Sequence, residues 1–139
     1  MSYFDEKGII RSDLLEREAS KQAEKFVVYR KDYKTGMKKV DDKKSLSSAQ
    51  LRKFFNEFRQ LEKKVGIKGF DKVKPLIKMV KSKAAYASNR SNSKFTASFK
   101  NFLITNVDRI EGENDFQAFM LHFEAVVGFF YGIEGVKNN

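Results

Sequence analysis

Cysteine is absent from this chain of 139 residues, and histidine and proline each occur only once. Without a thiol, the sequence has neither a disulfide framework nor a thiolate metal site, which fits a reducing compartment. No stretch approaches the roughly 20 apolar residues that a membrane-spanning helix needs. The charged start, Met1 to Ile10, lacks the apolar core of a signal peptide. We therefore expect one domain, residues 1–139, that is soluble and cytoplasmic.

Residues suited to catalysis are equally scarce. His122 has no second His and no Cys with which to share a metal, so a packing role is favoured over a catalytic one. Glu124 lies among apolar neighbours, where a carboxylate is expected to pair with a Lys or Arg of another helix. A glycine-rich phosphate loop followed by Lys is also missing. The sequence predicts no enzyme activity, no metal and no cofactor.

Apolar residues at helical spacing dominate the rest of the sequence. Fourteen phenylalanines recur with this spacing and strand patterns are almost absent, which predicts an all-α fold, a compact helical bundle of about five helices. The expected organisation is an N-terminal helical segment (1–28, helical from Ile9 to Val28), a charged loop or linker that is best interpreted as a disordered tether (29–44), a basic helical core (45–132) and a flexible tail (133–139).

Local signals set the expected ends of the helices in the core. Ser47 followed by Gln50 forms a capping box, which predicts that the second helix begins at Ser47 and ends at residues 66–69. A third helix follows, with Pro75 in its first turn and Leu76 on its buried side. Two more helices are expected at residues 94–106 and 115–131. The apolar stripe of the last one is so wide that a central position in the bundle is favoured over a protein interface.

Charge is segregated along the chain. Residues 46–100 contain fourteen Lys or Arg against three acids, whereas residues 101–139 contain two bases against six acids. A polyanion therefore has one obvious region to bind, which makes nucleic acid the leading partner. The alternative is an ordinary solvated surface rich in lysine.

Helical geometry arranges these bases in rows. One row lies on the second helix, two lie on the third, and they comprise Arg52, Asn56, Arg59 and Lys63; Lys74, Lys78 and Lys81; and Lys83, Tyr86 and Arg90. Because a short turn joins the two helices, they are expected to pack antiparallel and to present a ridge or groove that follows phosphates. Most phenylalanines are committed to the core, so we predict binding that is independent of base sequence and weakened by salt.

Three segments in this order resemble a known family. They are SLSSAQLRKFFNEFR (45–59), KPLIKMVKSKAAYASNR (74–90) and FQAFMLHFEAVVGFFYG (116–132). Together they resemble the small subunit of the type III-A CRISPR effector, the Csm complex. The resemblance covers roughly residues 46–132, and the first 44 residues carry little of it.

The resemblance implies a non-catalytic, RNA-binding small subunit of an antiviral ribonucleoprotein. Such a subunit lines the inner filament beside guide RNA and target RNA, with other Csm subunits and further copies of itself as partners. Its expected contacts, carried over from the family, are Arg52, Lys83, Tyr86 and Arg90. From its mid-helix position alone, Tyr86 is more often a half-buried packing residue, although its neighbours Lys83 and Arg90 also allow stacking on a sugar or base. Helical geometry adds Lys53, Arg59, Lys63, Lys78 and Lys81.

Two other functions remain open from the sequence. One is a helical protein-interaction module whose last helix docks a partner while its basic face is solvated. The other is a small DNA-binding protein, although no helix-turn-helix with a recognition helix rich in Asn, Gln and Arg is recognisable. Affinity that is indifferent to salt would favour the first, and equal binding to duplex DNA and RNA would favour the second.

Overall fold

The computed structural model describes residues 2–90 and 93–137, which are mainly helical. In chain order the elements are a 3-10 turn Ser12–Leu14, α1 Arg17–Lys25, β1 Tyr29–Lys31, β2 Lys38–Val40, α2 Ser48–Lys68, α3 Phe70–Lys78, α4 Val80–Asn89, α5 Ala97–Arg109 and α6 Glu113–Gly132. Helices α3 and α4 follow each other with only Met79 between them. The predicted all-α bundle of about five helices is confirmed.

Aromatic rings join the helices in the core. Phe26, at the end of α1, contacts Phe99 and Phe102 of α5 with ring centroids 5.2 and 5.5 Å away. Phe123 of α6 lies 5.2 Å from Phe102 and 6.0 Å from Phe58 of α2. All four pairs are close to edge-on, the geometry that the ring quadrupole favours. One cluster of rings therefore fixes α1, α2, α5 and α6 relative to one another.

Helix α6 packs against both α1 and α2, as expected of a central helix. Its buried side chains come from more than one face of the helix. They are Phe116, Ala118, Phe119, Met120, His122, Phe123, Val126 and Phe130.

The N-terminal helix is shorter than predicted. Instead of one helix from Ile9 to Val28, the chain forms the 3-10 turn and then α1. The reason is that the first residues fold back as an extended segment, in which Phe4 bridges to Ile10. The hydroxyl of the buried Tyr3 also donates a hydrogen bond of 2.8 Å to Asn106 Oδ1 of α5, which holds this segment against the bundle.

The segment predicted as a disordered tether, residues 29–44, contains an antiparallel hairpin instead. Strands β1 and β2 pair from Tyr29 opposite Val40 to Lys31 opposite Lys38. The turn includes Gly36, whose φ of 71° suits glycine. Val40 is buried, and the Lys38 ammonium lies 4.8 Å from the centre of the Tyr29 ring. These contacts outweigh the polar composition that suggested disorder.

The predicted third helix is divided into α3 and α4, and two of its details were wrong. Helix α3 begins at Phe70, which places Pro75 beyond the first turn. Because proline has no amide hydrogen, Pro75 removes the bond to the Asp71 oxygen from the helical ladder. Helix α3 ends at Lys78, although the Met79 N–H still bonds the Pro75 oxygen at 3.0 Å. Leu76, which was expected to be buried, is 39% exposed, whereas its neighbour Ile77 is fully buried.

The last two helices and the tail also differ in detail from the prediction. Helix α5 begins later than predicted because Thr96 caps it, its Oγ1 accepting a bond of 3.2 Å from the Phe99 N–H. The predicted flexible tail, residues 133–139, packs through Val136, and Lys137 pairs with Asp42 at 3.3 Å. Residues 138–139 lie outside the described part of the chain.

His122 is a buried packing residue, as the sequence suggested. Its Nδ1 lies 2.7 Å from the backbone oxygen of Leu14, an acceptor only, so Nδ1 carries the hydrogen. Burial lowers the pKa of His122 below the ordinary 6.5, although the bond to Leu14 opposes this shift. Glu18, Arg11 and Arg109 also act on the ring, the first favouring and the last two disfavouring its charge.

The lowered pKa of His122 predicts a loss of stability in mild acid. Because the unfolded chain takes up the proton more readily than the folded one, stability is full above about pH 6.5 and falls as the pH drops through that value. We expect the melting temperature to decrease from pH 7.5 to 5.5 in the wild type and to change less in His122→Gln. Equal decreases in both proteins would contradict the assignment.

Candidate nucleic-acid interface

The register of α2 decides which of its basic residues face solvent. Ser47 caps the helix as predicted, its Oγ accepting a bond of 3.1 Å from the Gln50 N–H. The reciprocal half of the predicted capping box is not formed, because the Ser47 N–H bonds the Lys94 oxygen and the Gln50 amide bonds the Ser93 oxygen. From this start the buried positions include Phe54 and Phe58. Arg52 and Lys53 therefore lie on the exposed side.

A groove separates the exposed sides of α2 and α4. It has a volume of about 410 Å³, and Phe54 and Ala87 are the apolar residues in its lining. Its cations are Lys53 from α2 and Lys83 and Arg90 from α4 and its end. The groove thus combines positive charge with an apolar surface.

Tyr86 gives the groove an exposed aromatic ring. Its side chain is 70% exposed, and the Arg90 guanidinium lies 5.9 Å from the ring centre. Arg90 directly follows the last residue of α4, and its backbone is extended, with φ of −80°. Such a pair of an aromatic ring and a guanidinium can stack on a nucleobase while the charge meets a phosphate.

The groove also contains one acid. Glu57 of α2 accepts a hydrogen bond from the Lys83 ammonium across the groove. The sequence did not reveal this pair, because Glu57 and Lys83 lie on different helices and meet only through the relative placement of α2 and α4. Glu57 is one of only three acids in the basic region. Lys83 is therefore partly neutralised before any ligand binds.

The lysine row of α3 and α4 faces the end of α5 rather than open solvent. Lys78 donates a bond of 2.7 Å to the Val107 oxygen, and Lys81 contacts Asp108 Oδ1 at 2.6 Å. The bond from Lys81 lowers the pKa of Asp108. Lys74 pairs with Glu111 at 3.1 Å. Cations at a helix C-terminus are favourable, so this row contributes to packing of α5.

Arg59 is likewise engaged within the bundle. Its guanidinium bonds Glu62 and Glu124, each at 3.0 Å, and lies 4.9 Å from the Phe55 ring centre. The expectation that Glu124 pairs with a base from another helix is confirmed. The acidic C-terminal part of the sequence therefore neutralises part of the basic region once the chain folds.

The nine predicted contact residues consequently fall into three groups. Arg52 and Lys63 are exposed and make no ion pair within residues 2–90 and 93–137. The groove gathers Lys53, Lys83, Tyr86 and Arg90. The internally paired group is Arg59, Lys78 and Lys81.

Among the residues that the structure describes, no group of three or more His, Cys, Asp or Glu side chains is placed to hold a metal ion. In the same part of the chain, no helix is both long and apolar enough to cross a membrane.

The fold and the site define the class of protein as a small helical bundle with a basic, partly aromatic groove. A family model described as Csm2 Type III-A matches residues 20–133, and the chain belongs to this family of type III-A CRISPR small subunits. The match includes α1 and the hairpin, where the sequence alone showed little resemblance. The family implies assembly with other Csm subunits and with copies of the same chain. No curated protein and no solved structure matched the chain.

The different surroundings of Arg59 and Arg52 predict different effects on stability. Arg59→Ala removes two ion pairs and the contact with Phe55, so we expect the free energy of unfolding to fall by about 1 kcal/mol. Arg52→Ala should change it by less than about 0.5 kcal/mol. Urea denaturation of the three proteins measures both values, and equal losses would show that the ion pairs of Arg59 do not stabilise the fold.

Proposed function

We propose that this chain is a non-catalytic subunit that holds guide or target RNA through its phosphate backbone within a type III-A CRISPR ribonucleoprotein, in antiviral defence. The observation that carries the proposal is the α2–α4 groove, where Lys53, Lys83 and Arg90 surround the exposed ring of Tyr86. Membership of the Csm2 family supplies the type III-A setting. The RNA partner is inferred from the groove.

The composition of the groove favours contact with a single strand. A backbone passing along Lys53 and Arg90 would meet positive charge, and an unpaired base would find the face of Tyr86. In a duplex the bases are already stacked on one another, so the ring would have no face to stack on. A single-stranded segment, or one distorted at this point, therefore fits the groove better than a regular duplex.

Recognition by this groove should be independent of base sequence. Base-specific contacts usually come from Arg, Asn or Gln side chains presented to base edges. The described residues that line the groove include neither Asn nor Gln, and the one Arg among them lies beside the Tyr86 ring. In RNA-guided systems the guide reads the sequence by base pairing, so a subunit that contacts only the RNA backbone is sufficient.

A double substitution tests whether the chain reads the backbone. We expect Arg52→Ala combined with Arg90→Ala to weaken RNA binding by a similar factor for oligonucleotides of unrelated sequence, because Arg90 lines the groove and Arg52, next to Lys53 on the exposed side of α2, is expected to meet a neighbouring phosphate. The dependence of affinity on salt should also become shallower, by about 0.7 per lost contact. Binding is measured by fluorescence anisotropy at several salt concentrations.

A matched control keeps the same loss of charge but places it elsewhere. Arg17→Ala with Arg109→Ala removes two guanidinium groups from α1 and the end of α5, and neither residue lines the groove. This control should bind RNA nearly as well as the wild type. A loss that depended on base sequence would contradict backbone reading, and affinity indifferent to salt would favour a protein-interaction module instead.

Tyr86 should contribute through its ring rather than its hydroxyl. We expect Tyr86→Leu to weaken binding of single-stranded RNA by about 1–3 kcal/mol, the usual value of one base stacked on an aromatic ring. Tyr86→Phe keeps the ring and should bind within about twofold of the wild type. Because the side chain is largely exposed, neither change should lower the melting temperature appreciably. Equal losses of affinity in both variants would rule out stacking.

A further inference from the structure

A second basic cavity adjoins the α2–α4 groove. It has a volume of about 440 Å³ and shares Arg90 with the groove. The other cations in its lining are Lys43 and Lys44, which follow the hairpin, and Lys94, which precedes α5. The hairpin segment and the α4–α5 connection, separated along the chain, thus bring their charges to one place.

The lining of this cavity is suited to an anion. It combines four cations with three serine or threonine hydroxyls, and no carboxylate is found among its described lining residues. The groove, by contrast, includes Glu57, and a neighbouring cavity includes Asp42. None of the four cations takes part in an ion pair within the described ranges 2–90 and 93–137. Their charges are available to a ligand.

The backbone beneath these lysines is fixed by hydrogen bonds. Asp41 Oδ1 accepts bonds from the N–H groups of Lys43 and Lys44 at 3.0 and 3.2 Å. The Lys94 oxygen accepts a bond of 3.1 Å from the Ser47 N–H, which ties it to the cap of α2. The backbone that carries these lysines is therefore already ordered before a ligand binds, which reduces the entropic cost of binding.

The cavity also connects the groove to Arg52. Lys94 lines a third cavity together with Arg52 and Lys137. Shared residues therefore link the three cavities, since Arg90 lines the first and the second and Lys94 lines the second and the third. A repeated series of positive side chains along one surface is the pattern that a phosphodiester chain matches, since its charges are also repeated.

We propose that Lys43, Lys44 and Lys94 form a second phosphate-binding site that extends the groove, so that the chain contacts a longer stretch of single-stranded RNA than the groove covers. The inference rests on the proposed function, because the same strand is to occupy both places. The three lysines add backbone contacts without base recognition, because an ammonium group meets a phosphate as a point charge.

Oligonucleotides of two lengths test this extension. The full chain is titrated at low ionic strength with labelled oligouridine of about four nucleotides, enough for the groove alone, and of about twelve nucleotides. The variant Lys43→Gln, Lys44→Gln, Lys94→Gln should bind the longer RNA about tenfold more weakly than the wild type and reduce the salt slope by about 2. Its affinity for the short RNA should change by less than about twofold.

The control variant carries the same charge loss at the far end of α2. Lys64→Gln, Lys68→Gln, Lys72→Gln removes three exposed lysines near the α2–α3 turn and should bind both lengths almost as the wild type does. If the two triple variants behave alike, the second site is wrong while the groove stands. If the wild type binds neither length, the proposed function and the extension both fall. Melting temperatures confirm that all proteins are folded.

Discussion

The register of α2 is the constraint on which the rest of the structure depends. Phe54 and Phe58 of this helix are buried, with Phe58 only 4.9 Å from the ring of Phe119 in α6. A helix that places these rings inside must place Arg52 and Lys53 outside, because their directions differ by about 100° per residue. Rotation of α2 by one position would bury charge and expose rings at the same time. The candidate interface is therefore a direct consequence of how the core is packed.

Folding redistributes the charge that the sequence separates. In the folded protein, acids of the C-terminal part lie next to bases of the basic part: Asp108 pairs with Lys81, and Glu124 pairs with Arg59. Each of these exposed pairs is worth little by itself in stability. Their larger effect is to cancel charge at Lys81 and Arg59. Lys53 and Arg90 of the groove, by contrast, make no ion pair within the described residues.

Much of the fold was predictable because its signals are local. The cap at Ser47 and the helical spacing of the phenylalanines required no knowledge of tertiary contacts, and both were confirmed. The hairpin was missed because its two strands contain only three residues each, and their order depends on the burial of Val40. For the candidate interface, the sequence indicated which residues face solvent but not which of them meet an acid. The pair of Glu57 and Lys83 joins residues 26 positions apart, and only the packing of α2 on α4 brings them together.

That pair makes the groove a site that already contains an anion of its own. A phosphate that approaches Lys83 must compete with the Glu57 carboxylate, so association is an exchange of one negative group for another rather than the filling of a vacant position. When the strand leaves, Glu57 pairs with Lys83 again, so the net free energy of binding at this lysine is smaller than for an unpaired one. In the proposed complex with RNA, this exchange would weaken the hold on a strand and favour its release.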